Sequence, residues 1–217
     1  MNRAVTQIKL ERRRPPGRPK AHTVADIDRA IVRVARELFV AKGYGATSMA
    51  EVAKTVQASK GTVYARFASK ADLFKAIIDE QIRRTGGGIR HHGPKPKTLQ
   101  AVLRVYAEQA LTDSLSVETK QLNRLIFSEA ERFPELAEAA LERGSIGVNQ
   151  VAAYIREYAE IEGIPCRHPE AAADWFLKLT KGWYSELMLR STQVTATEVK
   201  IFVQQLLKFF MISRSSW

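Results

Sequence analysis

Cysteine and long apolar runs are scarce in this sequence, and each scarcity excludes a class of protein. The single cysteine among the 217 residues, Cys166, cannot form an intrachain disulfide and fits a reducing cytoplasm. Its thiol is either inert or, with Arg167 beside it, a redox sensor. No run approaches the ~18 apolar residues of a membrane span, and the N-terminus lacks the apolar segment of a secretory signal. We therefore expect a cytoplasmic protein without a membrane partner.

Histidine is also rare, and the sequence lacks the motifs on which most enzymes depend. The four histidines, His22, His91, His92 and His168, do not have metal-ligand spacing. His91 and His92 adjoin, which suits an adventitious metal site at most. The sequence contains neither a nucleophile elbow nor a phosphate-binding loop. We predict no catalytic residue, no metal site and no cofactor, so the chain is not expected to be an enzyme.

The sequence does have an uneven distribution of charge. All of the net charge of +11 lies in residues 1–90, while the remainder has as many acidic as basic residues. A basic segment joined to a neutral body indicates a polyanionic partner such as DNA; the alternative is a solvated basic tail without a partner. Residues 1–22 contain RRRPPGRPK and predict a disordered basic arm. Its Gly17-Arg18-Pro19 resembles the core of an AT-hook, which makes Arg18 a candidate minor-groove contact.

Hydrophobic periodicity predicts helices along the whole chain, without a strand pattern of useful length. Residues 23–85 form the first predicted domain, whose first helix is capped by Asp26 and ends at Gly43. Ser48 and Ser59 have the positions of N-caps for two short helices. Ser48 and Glu51 together have the spacing of a capping box.

A domain boundary is predicted directly after this first domain. Gly86, Gly87 and Gly88 interrupt the helical pattern, and prolines extend the interruption. Residues 97–217 then predict a larger helical domain. Its longest helix runs from about Pro134 to Ile161. The predicted fold is therefore all-α, with a small N-terminal and a larger C-terminal domain.

The two short helices predict a helix-turn-helix. Helices of their length are marginal in water, so they must pack on the apolar face of the first helix as a three-helix unit. The second helix of such a motif lies in the major groove of DNA. Lys60 suits guanine O6 or N7, Gly61 permits close backbone approach, and Thr62 suits a thymine methyl. Tyr64 is either a core aromatic or a residue whose ring packs while its hydroxyl reaches a phosphate.

Residues 27–82 resemble the DNA-binding domain of the TetR family of transcriptional regulators. The matching stretches are ARELFVAKGYGATSMAEVAKTV and SKGTVYARFASKADLFKAII. The resemblance implies that Thr47 and Ser48 open the second helix against phosphate, that Lys70 binds the DNA backbone, and that Tyr44 lies near a phosphate. The predicted DNA contacts are Tyr44, Thr47, Ser48, Ser59, Lys60, Gly61, Thr62, Tyr64, Arg66 and Lys70, with Arg18 from the arm.

One position departs from the family pattern. Where the family usually has Ala-Gly-Val before the recognition helix, this chain has Val56, Gln57 and Ala58. The glycine normally forms a left-handed turn, which Gln57 can adopt at a cost of roughly 1 kcal/mol.

The C-terminal segment RLIFSEAERFPELAEAALERG, residues 124–144, resembles AcrR-like and AefR-like members of the family. Such relatives often control efflux pumps. The resemblance implies a ligand-released homodimeric repressor that binds a near-palindromic operator. The alternatives are a basic architectural DNA-binding protein without an effector and, least favoured, a helical enzyme.

The last helix carries apolar residues on more than one side, which predicts a two-fold partner. With the helix before it, it would form a four-helix interface, as in the family. The alternative is that one chain buries all of these residues. The predicted dimer contacts are Trp183, Leu187, Phe202, Val203, Leu206 and Phe210.

An effector pocket is expected among the middle helices. The candidate lining is rich in aromatic residues and predicts a hydrophobic or aromatic small molecule; the alternative is that these residues form the core. The candidates are Leu103, Tyr106, Leu125, Phe127, Glu129, Phe133, Trp175 and Leu179.

Overall fold

The computed structural model describes residues 24–85, 95–189 and 193–217, which form an all-α fold as predicted. The predicted arm with Arg18 and the predicted boundary at Gly86–Gly88 lie outside these residues, as do His22, His91 and His92. The first range contains α1 (Val24–Lys42), α2 (Met49–Thr55), α3 (Lys60–Tyr64) and α4 (Lys70–Thr85). The second contains α5 (Leu99–Ser114), α6 (Val117–Glu129), α7 (Pro134–Glu162) and α8 (Pro169–Leu189), and the third contains α9 (Ala196–Ile212).

Glycine ends the helices at two points where the backbone enters the left-handed region. Gly43 follows α1 with φ +92° and Gly163 follows α7 with φ +65°. The Gly43 N–H donates to the carbonyl of Phe39 at 2.9 Å, which closes the last turn of α1. The predicted stop at Gly43 is confirmed. The predicted cap at Asp26 is wrong, because α1 begins at Val24 and Asp26 lies in its first turn.

The N-terminal core joins α1 to α4 with part of the C-terminal half of the chain. Phe39, Tyr44 and Phe74 are fully buried at its centre. Leu122, Leu125 and Ile126 of α6 and Leu136 of α7 belong to the same buried cluster. The helices that follow the predicted domain boundary therefore stabilise the helices before it.

A second core lies within the C-terminal half. It is formed by buried faces of α5, the later part of α7, α8 and α9, and Phe176 lies 5.2 Å from Phe210 between ring centroids. α7 thus contributes to both cores, its first turns to one and its later turns to the other. No helix within residues 24–85, 95–189 and 193–217 is long and apolar enough to cross a membrane.

Candidate nucleic-acid interface and interior cavity

Serine caps begin the two short helices of the candidate interface. Ser48 Oγ accepts the Glu51 N–H at 3.1 Å, and Ser59 Oγ accepts the Thr62 N–H at 3.0 Å. Both caps agree with the sequence. The Glu51 carboxylate pairs with Lys42 of α1, so α2 is also linked to α1 through this side chain.

A left-handed residue reorients the chain between α2 and α3. Gln57 has φ 57°, the one positive value at a non-glycine residue among those described. Its N–H donates to the Lys54 carbonyl at 3.2 Å, and the next N–H, of Ala58, donates to Ala53 at 2.9 Å. The turn that the family makes with glycine is therefore made here with glutamine, as the sequence allowed.

The first turns of α3 face solvent. Ser59, Lys60 and Gly61 are exposed, and Tyr64 is 50% exposed. Val63 faces inward at 1% exposure and anchors α3 on the N-terminal core. The exposed side therefore presents a cation and a tyrosine hydroxyl, with Thr62 half-buried beside them.

Four other predicted DNA contacts have their side chains engaged within the protein. Tyr44 is fully buried, and its hydroxyl donates to Glu135 at 2.9 Å. Burial and, next, this hydrogen bond raise the pKa of the Tyr44 hydroxyl. Thr47 is 2% exposed, and its hydroxyl donates to the Gly43 carbonyl at 2.9 Å. A side-chain contact of Tyr44 or Thr47 with phosphate is therefore wrong, because neither side chain reaches the surface.

The two basic residues of this group also point into the fold. Lys70 donates to the carbonyl oxygens of Tyr44 at 2.9 Å and Thr47 at 3.2 Å, and its ammonium lies 4.3 Å from the centroid of the Tyr44 ring. Arg66 forms an ion pair with Asp28 of α1, with 2.6 Å between Nε and Oδ1. Both side chains therefore stabilise the helix-turn-helix from within, whereas the sequence predicts that they contact DNA.

Two residues predicted to bind an effector instead contact the turn after α1. The Glu129 carboxylate accepts the backbone N–H of Tyr44 at 2.7 Å and of Gly45 at 2.9 Å. Phe133 packs edge-on to Tyr44, with 5.0 Å between ring centroids. The last residue of α6 and the segment that follows it therefore bind the turn that leads into α2. Their assignment to the pocket is wrong, because neither lines the cavity described next.

A partly open cavity of about 210 Å³ lies between α4, α5, α6, α7 and α8, with an adjoining lobe of about 160 Å³. Tyr106 is the one predicted effector residue that lines it. Gly147 makes room for the Tyr106 hydroxyl, since a Cβ on Gly147 would lie 3.2 Å from that oxygen. The main lobe is lined by Gln81, Ile82, Tyr106, Gln109, Ala110, Asp113, Ser114, Thr119, Asn123, Arg143, Ile146, Gly147, Gln150 and Lys181.

The cavity is more polar than the sequence predicted. Gln81 Nε2 donates to Thr119 Oγ1 at 2.8 Å, which links α4 to α6 across its wall. Arg143 donates to Asn123 Oδ1 at 3.0 Å, and Asn123 Nδ2 in turn donates to the Tyr184 hydroxyl at 2.8 Å. The lining therefore contains more polar side chains than the aromatic lining that the sequence predicted.

The other predicted lining residues lie elsewhere. Leu103 and Leu125 are buried, one in each core. Phe127 is 72% exposed, Trp175 62% and Leu179 48%. The last three were predicted to face inward, but they lie on outer faces of their helices.

The outer faces of α8 and α9 carry exposed apolar side chains. On α8, Trp175, Leu179 and Leu189 follow the spacing of a coiled-coil seam, and the exposed Gly182 lies between them. On α9 the exposed apolar residues are Ile201, Phe209 and Ile212. An open groove of about 430 Å³ contains Trp175, Leu179 and Phe209 in its walls.

Four of the six predicted dimer contacts are buried within the chain. Leu187, Val203, Leu206 and Phe210 have exposures between 0% and 7%, so they cannot supply a partner surface without unfolding this core. Trp183 and Phe202 are partly exposed and stack on each other, with 4.2 Å between ring centroids. The exposed apolar face of α8 instead contains Trp175 and Leu179, which the sequence predicts to bind the effector.

Two protein-family profiles match the chain. The family described as bacterial regulatory proteins, tetR family, matches residues 31–77. The AefR-like transcriptional repressor C-terminal domain matches residues 101–213, more than half of the chain.

Curated relatives match mainly through the N-terminal half. The chain is 34% identical over 82 residues to the HTH-type transcriptional regulator QacR of Staphylococcus aureus, covering 38% of this chain and 44% of QacR. It is 43% identical over 68 residues to the HTH-type transcriptional repressor ComR of Escherichia coli, covering 31% and 30%. The chain thus spans less than half the length of these two relatives.

Solved structures match over most of the chain. The flavonoid-responsive regulator FrrA is 29% identical, with a TM-score of 0.72 and coverage of 88% of this chain and 97% of that one. GusR of Salmonella enterica is 26% identical, with a TM-score of 0.62 and coverage of 86% and 98%. QacR and ComR are named as a transcriptional regulator and a transcriptional repressor and FrrA as a regulator, and none of the three is named as an enzyme.

Proposed function

The chain belongs to the TetR family of transcriptional regulators, and on this premise we propose that it is a homodimeric repressor that binds a near-palindromic operator and is released by a small molecule. The observation that carries the proposal is the exposed start of α3, where Lys60, Gly61 and Tyr64 share one solvent-facing surface. In the family this is the helix that enters the major groove, and the caps at Ser48 and Ser59 fix its direction here.

The proposed DNA contacts divide by role. Lys60 donates to a guanine edge and Thr62 contacts a base or its methyl group, which supplies sequence preference. Ser48, Ser59 and the Tyr64 hydroxyl are proposed to contact phosphate oxygens, which would supply register. Arg18 of the basic arm is proposed to add a minor-groove or phosphate contact.

Dimerisation is proposed through the outward faces of α8 and α9. Large apolar side chains exposed in a row favour a partner surface, and α8 and α9 of two chains would form a four-helix interface with two-fold symmetry. Trp175, Leu179 and Phe209 carry this surface, with Ile201 and Ile212 beside them. Gly182 leaves open space above α8, which permits close approach of a second helix.

Release is proposed to act through α4, which borders both sites. Near its end, Gln81 and Ile82 line the cavity. At its start, Lys70 holds the carbonyls of the turn that leads into α2. An effector that fits the cavity in only one setting of α4 would shift the dimer toward a state whose recognition helices no longer match the groove. FrrA is flavonoid-responsive by name, which supports an effector with an aromatic body.

The proposal is tested by selecting bound duplexes from random DNA with the full-length protein and measuring affinities by fluorescence anisotropy at physiological salt. We expect a near-palindromic consensus and a preference of at least ~10³-fold over random duplex. Lys60→Ala should lower the affinity for the selected site by about 1–3 kcal/mol and relax its sequence preference. Lys97→Ala removes an exposed cation outside the helix-turn-helix and should change neither.

Two results would contradict this function. Equal affinity for selected and random duplex would favour the architectural alternative. A selected site whose affinity is unchanged by Lys60→Ala and Tyr64→Ala together would exclude the surface of α3 as the reader of the sequence.

A further inference from the structure

Arg143 contributes a cation to the cavity wall that lacks an acidic partner. Its guanidinium donates to Asn123 Oδ1 at 3.0 Å, a neutral acceptor. None of the ion pairs between described residues involves Arg143. Burial lowers the pKa of Arg143, because the surrounding protein excludes water from the guanidinium without supplying a counterion. A guanidinium in such a setting retains several unused donors.

A second cation lies beside it. Lys181 lines both lobes of the cavity and keeps contact with solvent. Its ammonium lies above Gly144, at 3.4 Å from where a Cβ on that glycine would be. Desolvation and, next, repulsion by Arg143 lower the pKa of Lys181. The nearby carboxylate of Asp174 is held by Lys178 at 2.5 Å. The two cations therefore face one space and repel each other there.

The rest of the wall supplies neutral donors and apolar surface. Burial raises the pKa of Tyr106 to about 12, so its hydroxyl remains a donor at neutral pH. Ile82, Ile146 and Leu177 give the lining its larger apolar side chains. Asp113 also lines the main lobe, but it is not among the charges that shift the pKa of Arg143 or Lys181.

We propose that this cavity binds an effector that carries an anionic oxygen group, a carboxylate or an ionised phenol, on an apolar or aromatic body, with Arg143 and Lys181 binding the anion. A planar guanidinium binds a carboxylate through two parallel N–H···O bonds, and it donates charge-assisted hydrogen bonds to the single oxygen of a phenolate. The anion supplies the missing counterion and relieves the repulsion between the two cations. The inference rests on the proposed function, in which this cavity is the effector site, and it specifies the charge of the effector.

The test compares anionic probes with neutral probes of nearly the same shape, by calorimetry on the full-length protein at fixed pH and salt. Naphthoate is paired with naphthamide for the carboxylate arm, and nitrophenolate with nitroanisole for the phenolate arm. We expect at least one anion to bind ~10-fold or more tightly than its neutral twin. Arg143→Gln should remove most of that preference while the affinity for the neutral twin changes little.

Controls separate a charge effect from a folding effect. Lys200→Gln removes an exposed cation of α9 that does not line the cavity and should retain the preference. Arg143→Lys keeps the positive charge and should retain part of the preference for the anion. If Arg143→Gln does not fold, Lys181→Met tests the same preference by removing the second cation. The proposal is overturned if the anion and its neutral twin bind equally in both pairs, or if neither anion binds. It is also overturned if the preference for the anion survives both Arg143→Gln and Lys181→Met.

Binding of the selected duplex is measured separately, without probes. Intact DNA recognition without an anion preference refutes the cavity's proposed charge selectivity and leaves the DNA-binding function standing. An anion preference that depends on Arg143, in a protein that does not discriminate between duplexes, refutes the DNA-binding function instead.

Discussion

Glu129 binds the turn at Tyr44 by accepting the Tyr44 N–H at 2.7 Å, and its second oxygen accepts the N–H of Gly45 at 2.9 Å. The two ends of this contact are 85 residues apart in sequence. It connects the C-terminal end of α6, one of the helices around the cavity, with the turn that positions α2. A displacement of this end of α6 would act on the helix-turn-helix through this bidentate hydrogen bond.

The first prediction concerns this contact. Glu129→Gln replaces one acceptor oxygen with an amide donor that faces a backbone N–H, so one hydrogen bond is lost and a repulsion is introduced. We expect the free energy of unfolding in urea to fall by about 1–3 kcal/mol. The exposed neighbour Glu131 is the control, and Glu131→Gln should leave stability unchanged. Equal stability of the two variants would show that the contact contributes nothing.

A pair of glycine substitutions should separate folding from DNA binding. A Cβ on Gly45 would lie 2.9 Å from Phe133 Cζ, so Gly45→Ala forces the ring to move and should cost about 1–2 kcal/mol of stability. A Cβ on Gly61 meets only Ser59 Oγ, at 3.8 Å. Gly61→Ala should therefore retain or raise stability, by up to about 1 kcal/mol, yet weaken operator binding, because the methyl group faces the groove.

Thermal unfolding and anisotropy with the selected duplex measure these two effects. The prediction fails if Gly45→Ala is as stable as the wild type. It also fails if Gly61→Ala binds DNA unchanged, since the backbone of α3 would then not approach the duplex closely.

Glu118 should give the stability a component that depends on acid pH. The hydrogen bond from Arg84, and then the charge of Arg36, hold its pKa below the ordinary value. The stabilisation is therefore present above the unfolded value of about 4.3 and is lost as the pH falls through the folded pKa. Its magnitude should stay below about 1 kcal/mol because the carboxylate is partly solvated.

Chemical unfolding at neutral pH and near pH ~3 measures this component. Glu118→Gln should reduce the loss of stability between the two conditions, whereas the exposed Glu160→Gln should not. An identical acid loss in Glu118→Gln and the wild type would contradict an ion-pair contribution from the group.

Two equally exposed phenylalanines test the dimer surface. Phe209 on α9 is 73% exposed and Phe127 on α6 is 72% exposed. Phe209→Glu places a charge on the proposed interface and should give a monomer in sedimentation experiments, with at least ~10-fold weaker binding to a palindromic duplex. Phe127→Glu should leave both properties unchanged. A dimer that survives Phe209→Glu would exclude this face.

Local signals allowed much of the DNA-binding half to be predicted from the sequence. Ser48 and Ser59 cap helices through bonds to residues three positions away, and Gly43 ends α1 through its own backbone. The left-handed turn at Gln57 could be predicted from the family pattern. Each of these features depends on a few adjacent residues, so the sequence alone specifies it.

Contacts between distant residues could not be predicted in the same way. The apolar spacing of α8 is compatible with several orientations, so Trp175 and Leu179 were assigned to the interior and Leu187 to the surface. Arg143 and Lys181 carry no periodic signal as cavity residues, since isolated cations on helices usually face solvent. Glu129 has a function only because Tyr44 and Gly45 fold against it.

The length of α4 sets how far a small disturbance at the cavity can be amplified. Its 16 residues are an uninterrupted helix about 24 Å long, and Gln81 lies about 16 Å from its first residue, so a pivot of about 5° at Gln81 would move that terminus sideways by about 1.4 Å. In a two-fold assembly both copies would swing at once, and the spacing between the recognition helices would change by about twice that distance. A molecule that changes the structure only slightly at the cavity could therefore change the spacing of the two recognition helices enough that they no longer fit successive major grooves.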